Sequence, residues 1–552
     1  MKFKSIITLC MAGVSISAFA QTHVEGEEYY KADQLDNAKE LLTRSLSNPG
    51  TDKAVSNYYL GMIAVEENKL PEAASYFSKG IQANPENAFN YVGEGLLKLM
   101  SGNEKEAEAM FKDADKKGKK DASLQVEIAR AYDSVDPVKY QKQIAKAMEK
   151  ARKYDINDPD IFLFEGDVAK RLIKGAPQEE IGRIVGDAAG KYEMAANADS
   201  NASAAYVKYA NLYTTVNPDY AIRMLNNLLR VNPNSALGQR ELANAYYNKK
   251  DYASAAKQYG KYVQNPSHFK KDEDRYAFLL FYGGDYKKGY DYATALLKQN
   301  PGNFTAQRYQ FMNAAQIAEM KDSLLPMAES LYAAHKANPQ ANKFAPIDYT
   351  LIADELNTAG RSDEAIEVLK EAVKDQPDNG TFYKQLAFIY VDRNDITDAA
   401  DTYEAYLANI EPGYNDFIQQ ATFDFYAGVE NKPNPEKAAQ YFDKAKSYAD
   451  KAREILPDNY KPKKIYGDIA KQTADKANIE KAAAPMYEEA IVLLEASNDP
   501  SRYATDAKEM YNYMGNYYLD LKDVEKAKSY FLKYLQYDPD NAEYRKFVES
   551  LK

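Results

Sequence analysis

Between residues 514 and 539 the chain reads MGNYYLDLKDVEKAKSYFLKYLQYDP. Large and small side chains fall here at helical spacing in two short runs: Met514, Gly515 and Tyr518, then Ala527, Phe531 and Tyr534, with Pro539 closing the stretch. A period near 3.6 in each run predicts two amphipathic helices, and proline cannot continue the second. The same order of residue types recurs along the chain. Leu60-Gly61, Ala73, Phe77, Gly80 and Pro85 carry it, and a shift of 34 residues lands on Gly95, Ala107, Phe111 and Ala114. Further copies run through Leu242-Ala243, Tyr246, Ala255 and Tyr259, through Ile352-Ala353, Ala365, Leu369 and Ala372, and through Leu386-Ala387, Tyr390, Ala399 and Tyr403. Asn-Pro pairs beginning at Asn84, Asn232, Asn265, Asn300 and Asn338 punctuate the units. Many copies in one phase set the fold, because unrelated helices do not keep a fixed period of this length.

In type and order these residues resemble the tetratricopeptide repeat: a large–small pair and a Tyr in helix A, then Ala, an aromatic and a small residue in helix B, then Pro. Each has a packing reason. The small residues sit where two helices cross closely, and the aromatic fills the remaining gap. The resemblance covers nearly all of residues 22–552, about fourteen units, and implies an all-α fold, a right-handed α-solenoid of helix–turn–helix repeats. Such a stack buries a continuous core between neighbours, so one extended array replaces the several domains that 552 residues would otherwise suggest. Its irregular units divide it into blocks at 21–159, 160–303, 304–413 and 414–552. The unit at 160–201 carries an extra helical stretch from Ala176 to Gly190, the units at 304–345, 414–459 and 460–502 are longer, and Lys432-Pro433-Asn434-Pro435 interrupts the pattern. Asn541 to Lys552 reads as a polar helix capping the last unit.

The amino-terminal residues stand apart from the repeat. Lys2 and Lys4 precede an apolar run from Ile6 to Val14, followed by Ala18-Phe19-Ala20 and Gln21. These are the three parts of a secretory signal peptide cleaved after Ala20, and the run is too short to span a bilayer. Leu9, before Cys10, is not the small residue that lipid modification requires. Cleavage takes the net charge from −11 to −13 and removes the one cysteine, so an exported chain would be held by packing alone. Acidic charge argues against coating nucleic acid, and no later stretch is long and apolar enough for a transmembrane helix. Signal style and Tyr/Asn-rich repeats resemble exported repeat proteins of the Bacteroidota. The expected location is the periplasm or another outward-facing site, with outer-membrane association only through partners.

Motifs for chemistry are absent. No HExxH, GxSxG, Walker A or paired CxxC occurs, and three His are scattered at positions 23, 268 and 335. No catalytic residue, cofactor or metal is expected. Gly186 to Lys191 lacks phosphate-loop spacing. With Gly182 its glycines stand four apart, which predicts a close helix–helix approach. The 47 Tyr, beside 21 Phe and no Trp, fall mostly on core positions of the repeat.

The resemblance implies a concave face lined by the second, fifth, ninth and twelfth positions of helix A. In the units at 54–121 these are Val55, Tyr58, Met62, Val65, Phe89, Val92, Leu96 and Leu99. So apolar a face suits an amphipathic helix or extended peptide of a partner, or else the chain's own amino-terminal helix or an adjacent superhelical turn. Further along, Asn211, Arg240, Asn244, Tyr247 and Lys271, with Lys208 and Arg275 nearby, partly resemble the family's carboxylate clamp. Arg240 stands where Lys is usual, and an internally paired basic face is the competing reading. Together these features imply a non-catalytic scaffold in the cell envelope that binds other proteins or peptides through its groove. The alternative is a helical-repeat protein that binds glycans or other envelope polymers, with tyrosine rings stacking on sugars.

Overall fold

The computed structural model describes residues 22–475, 478–497 and 499–551. The signal-peptide reading of residues 1–20, Cys10 included, lies outside the described residues. Among the described residues the secondary structure is helical with no strand, and it forms two compact units, divided between Ala318 and Glu319. The first contains eight helical hairpins, from Thr22–Lys31 paired with Leu35–Ser45 to Glu273–Tyr282 paired with Tyr286–Gln299, and then helix Phe304–Ala314. The second opens with helix Leu324–Ala337, continues through five hairpins and ends in the lone helix Ala542–Ser550. It is an α-solenoid of tetratricopeptide type.

Local chemistry starts and stops these helices. Asp52, Asn87, Asp121, Ser235, Asn379 and Asp523 each accept a hydrogen bond from a backbone N–H of the turn they precede, which satisfies donors a helix cannot pair internally. In the Asn-Pro-x-Asn turns the first Asn folds back as well: Asn84 Oδ1 accepts from Glu86 N at 3.0 Å. Between the two helices of many hairpins one residue takes a left-handed backbone. Gly102 and Gly284 do so without strain, whereas Lys250 and Lys522 hold φ of 63°.

Hairpins close on the small–aromatic pair. A Cβ placed on Gly61 would lie 2.3 Å from the Phe77 ring, and one on Gly93 of the next hairpin equally close. Phe77 is fully buried, so a single ring locks two successive A helices and exclusion of a side chain at both sites makes the approach possible. Gly515 meets Phe531 in the same manner at the far end of the chain. The glycines at 182, 186 and 190 behave otherwise, which corrects the expected helix–helix contact. They lie exposed on helix Gln178–Ala198, and a Cβ on any of them would meet open space. That helix turns Ile184, Ala188, Tyr192 and Ala195 inward instead. The extra stretch of this unit is the first half of one 21-residue helix, not a separate element.

Core packing accounts for much of the tyrosine excess. Tyr29, Tyr58, Tyr192, Tyr259, Tyr262, Tyr349, Tyr403, Tyr460 and Tyr487 are fully buried. What the periodicity did not reveal is where the hydroxyls go. Tyr192 donates to Asp167 (3.0 Å), Tyr262 to Asp272 (2.9 Å), Tyr460 to Asp506 (2.6 Å) and Tyr487 to Asp468 (2.5 Å). A phenol therefore supplies ring area to the stack and a hydrogen bond to a carboxylate at its edge, which Phe cannot do.

The first unit closes on itself. Its first hairpin reaches residues 129 to 240 positions away: Lys31 pairs with Asp160 (2.9 Å), Lys271 donates to Asn37 (2.8 Å), and Tyr29 stands edge-on to Phe269 at 5.4 Å. Two half-buried carboxylates bind helix starts. Glu28 accepts from Ala204 N at 2.7 Å, and Glu25 accepts from Ala236 N and Leu237 N at 3.1 and 3.2 Å. Anions are favoured there because the first amides of a helix point outward unpaired. Burial pushes the Glu25 carboxyl up to about 7, against the lowering effect of the two amides, and that of Glu28 up to about 8, against Lys31 and Ala204.

Candidate functional site

Closure decides the fate of the apolar face read from residues 54–121. Tyr58, Met62, Val92 and Leu96 are buried, and Phe89 is half-buried with its ring 5.5 Å from that of Tyr58. The Tyr58 hydroxyl donates to Glu127 two hairpins further on (2.7 Å), and Tyr59 donates to Glu27 of the first helix (2.9 Å). Tyr58, Met62, Val92 and Leu96 are corrected from peptide-lining positions to core, because the chain's own helices cover them, and Phe89 packs half-buried against that core.

The clamp residues also have partners within the chain. Arg240 binds Asp272 through Nε at 2.7 Å and reaches Gln34 and Glu241 at 3.4 Å. Lys208, 3% exposed, is held between Asp33 (2.9 Å) and Asp167 (2.6 Å). Lys271 binds Asn37 and faces Glu40 at 3.7 Å, and Asn244 donates to Glu241. The Arg275 guanidinium lies over the Tyr247 ring at 4.7 Å, and Asn211 is exposed. Arg240, Lys208, Lys271 and Asn244 thus have partners within the closed turn, the internally paired arrangement that competes with the clamp reading.

A cavity of about 720 Å³ persists in the first unit. Its wall combines Tyr30, Tyr59, Leu163 and Phe164 with six cations (Lys31, Arg130, Lys170, Arg171, Lys174, Lys208) and five carboxylates (Asp33, Glu66, Glu127, Asp133, Asp167). Most of the charges are matched. Arg130 bridges Glu127 and Asp167, Lys170 pairs with Asp33 at 3.1 Å, and Arg171 pairs with Asp133 at 2.7 Å. Burial raises the Asp167 carboxyl, but the charges of Lys208 and Arg130 outweigh it and hold the group below its usual range. Burial likewise opposes charge on Arg130, and Glu127 and Asp167 overcome it. Glu66 and Lys174 are exposed and have no ion-pair partner among the described residues. No sequence signal marked this cavity, since its walls come from hairpins up to 178 residues apart.

The second unit offers a different surface. On helix Gly380–Asp392, Thr381, Lys384 and Phe388 are exposed at helical spacing, with Val391 half-buried beyond them. Phe388 is 41% exposed although its ring touches Phe423 and Tyr403. The helix is fixed to its neighbour by Gln385, which donates to Thr350 O and Asp354, and by Asn357, which donates to Asp392. Further along, Tyr426 is 54% exposed at a small recess shared with Phe425, Lys464 and Asp468. Lys464 there contacts Asp468 and Glu509, each at 2.9 Å.

Tetratricopeptide-repeat family models match residues 23–88, 211–268, 356–411 and 508–541, so both units carry tetratricopeptide repeats, which build protein-interaction scaffolds generally. Among solved structures, the C-terminal part of a TPR repeat-containing protein from Cytophaga hutchinsonii is similar at 18% identity, over 50% of this chain and 98% of that one, with a TM-score of 0.40. A thermophilic TPR protein of Thermus thermophilus is similar at 16% identity, over 38% and 98% of the two chains, with a TM-score of 0.25. Yeast Tom70 is similar at 14% identity over 97% and 99%, also at 0.25. No curated protein matches the chain in sequence.

Proposed function

We propose that this chain is a non-catalytic scaffold of the cell envelope that binds protein partners through the helix-A face of its second unit. The observation that carries this reading is Phe388. A large apolar side chain left 41% exposed between Lys384 and Val391 has the apolar-centre, polar-rim character of a binding patch. Repeats matched within the same unit, at 356–411 and 508–541, support it. The envelope location rests on the charged, apolar and Ala18-Phe19-Ala20 segments at the amino terminus, and outer-membrane association would come through a partner.

Two experiments test it. Cell fractionation should recover the protein, shortened at its amino terminus, outside the cytoplasm; a full-length cytoplasmic chain overturns the envelope reading. The purified chain, immobilised and exposed to envelope extract, should retain specific proteins that Phe388→Ala and Lys384→Glu release. Equal retention by both variants removes the binding site from this face, and retention of no specific protein overturns the scaffold reading.

A further inference from the structure

The cavity of the first unit has a composition that selects for a kind of ligand. Its volume of about 720 Å³ lies within the range of roughly 300–1,000 Å³ usual for small-ligand pockets. An α-helix about 10 Å across occupies about 420 Å³ per turn of 5.4 Å, so the space suits a small molecule better than a helix of several turns. Charge narrows the choice further. Six cations face five carboxylates, so a strongly anionic ligand meets the acids and a strongly cationic one meets the bases.

We propose that this cavity binds a small zwitterion, a free peptide of two or three residues with both termini charged. Lys174 takes the carboxylate and Glu66 the ammonium group, because these two lining charges are exposed and have no ion-pair partner among the described residues. The other charges form a fixed frame. Asp167 joins Arg130 (3.0 Å) and Lys208 (2.6 Å), and Arg171 is engaged by Asp133. Frame donors that their ion pairs leave unused, notably on the Arg171 guanidinium, then reach the peptide's carbonyl groups. Tyr30, Tyr59 and Phe164 supply ring area for an apolar side chain, with Tyr30 and Tyr59 5.1 Å apart. Such a ligand differs from a segment of a partner protein in that both of its ends must be free. The assignment does not depend on the face proposed for the second unit.

The test uses the full-length mature chain and an equimolar library of synthetic tripeptides with free termini, alongside the same library acetylated at the amino end or amidated at the carboxyl end. Equilibrium dialysis read by mass spectrometry gives the bound fraction. Free-ended tripeptides should be enriched about tenfold over either capped library, the effect of one lost charge-assisted contact. Glu66→Gln should abolish the preference for a free amino end and keep the preference for a free carboxyl end; Lys174→Met should do the reverse. Both side chains are exposed, so both variants should melt with the parent, which separates loss of binding from loss of fold. Equal enrichment of capped and free libraries overturns the proposal, as does no enrichment above the Glu66→Gln/Lys174→Met double variant.

Discussion

The two units are built from one repeat and end in opposite states. In the first, side chains of successive hairpins meet each other across the turn: Tyr58 reaches Glu127, Asp33 of the first hairpin turn reaches Lys208, and the carboxylates of the first helix bind helix starts near residues 204 and 236. In the second, Lys384, Phe388 and Tyr426 on helices of the same type stay exposed. The small–aromatic contact is alike in both, Gly61 with Phe77 and Gly515 with Phe531. Neighbour packing therefore does not distinguish a closed turn from an open face. Residues outside the repeat signature do, chiefly charged side chains that find, or do not find, a partner several hairpins away.

The comparison breaks most visibly at the aromatic pivots. Phe77→Ala and Phe531→Ala should each destabilise by about 4 kcal/mol, the usual cost of emptying a buried aromatic site. Hydrogen exchange should tell them apart. Phe77→Ala should speed exchange across the closed turn, including residues 203–272, whereas Phe531→Ala should loosen only the hairpins beside it. Confinement of the Phe77→Ala effect to residues 53–100 would show that closure is not cooperative.

Lys208→Met should come next, at about 3 kcal/mol, because it leaves Asp167 largely buried with one of its two cations gone. The first unit should respond and the second should not, in a denaturant titration monitored separately for each by exchange. Unchanged stability would reduce the buried ion network to a spectator.

A pH series sharpens the contrast from another side. Glu25 and Glu28 carry folded-state values of about 7 and 8, above the ordinary value of 4.5. The folded state thus binds protons that the unfolded chain has released. Their contribution to stability is full below about 4.5, declines as pH rises from there through 7 and 8, and is gone above about 8. Protection of residues 22–45 should fall between about pH 5 and 8, and Glu25→Gln with Glu28→Gln should flatten that fall. A decline that persists in the double variant would assign it to other groups. The smallest effect is expected at the hairpin turns. Lys250→Gly and Lys522→Gly should each stabilise by about 1 kcal/mol or less, by removing a left-handed non-glycine residue at the cost of a more flexible unfolded chain.

Particular residues show where reading the chain succeeds and fails. Leu60-Gly61 with Phe77, and Asn84-Pro85 ahead of the next helix, announce a hairpin and its end, because each acts on atoms within one repeat or its neighbour. Gly182, Gly186 and Gly190 have the spacing of a packing stripe yet face open space: spacing states which residues share a face, not what lies opposite it. Tyr58 and Val92 read as groove lining and Arg240 as a clamp residue, and all three are taken up by the chain itself. The cavity between Tyr30, Arg130 and Lys174 had no signature, since its walls are assembled from five separate hairpins.

From the order of its amino acids this chain was bound to be a helical-repeat solenoid with an interior of alanine, glycine and tyrosine. Those contacts are short in sequence and recur with a fixed period, so local propensity and nearest-neighbour packing suffice to specify them. Which faces closed and which stayed open was settled in three dimensions. Small rotations from repeat to repeat accumulate until Glu25 and Glu28 meet helix starts 176 to 212 residues away, and no local pattern encodes that meeting.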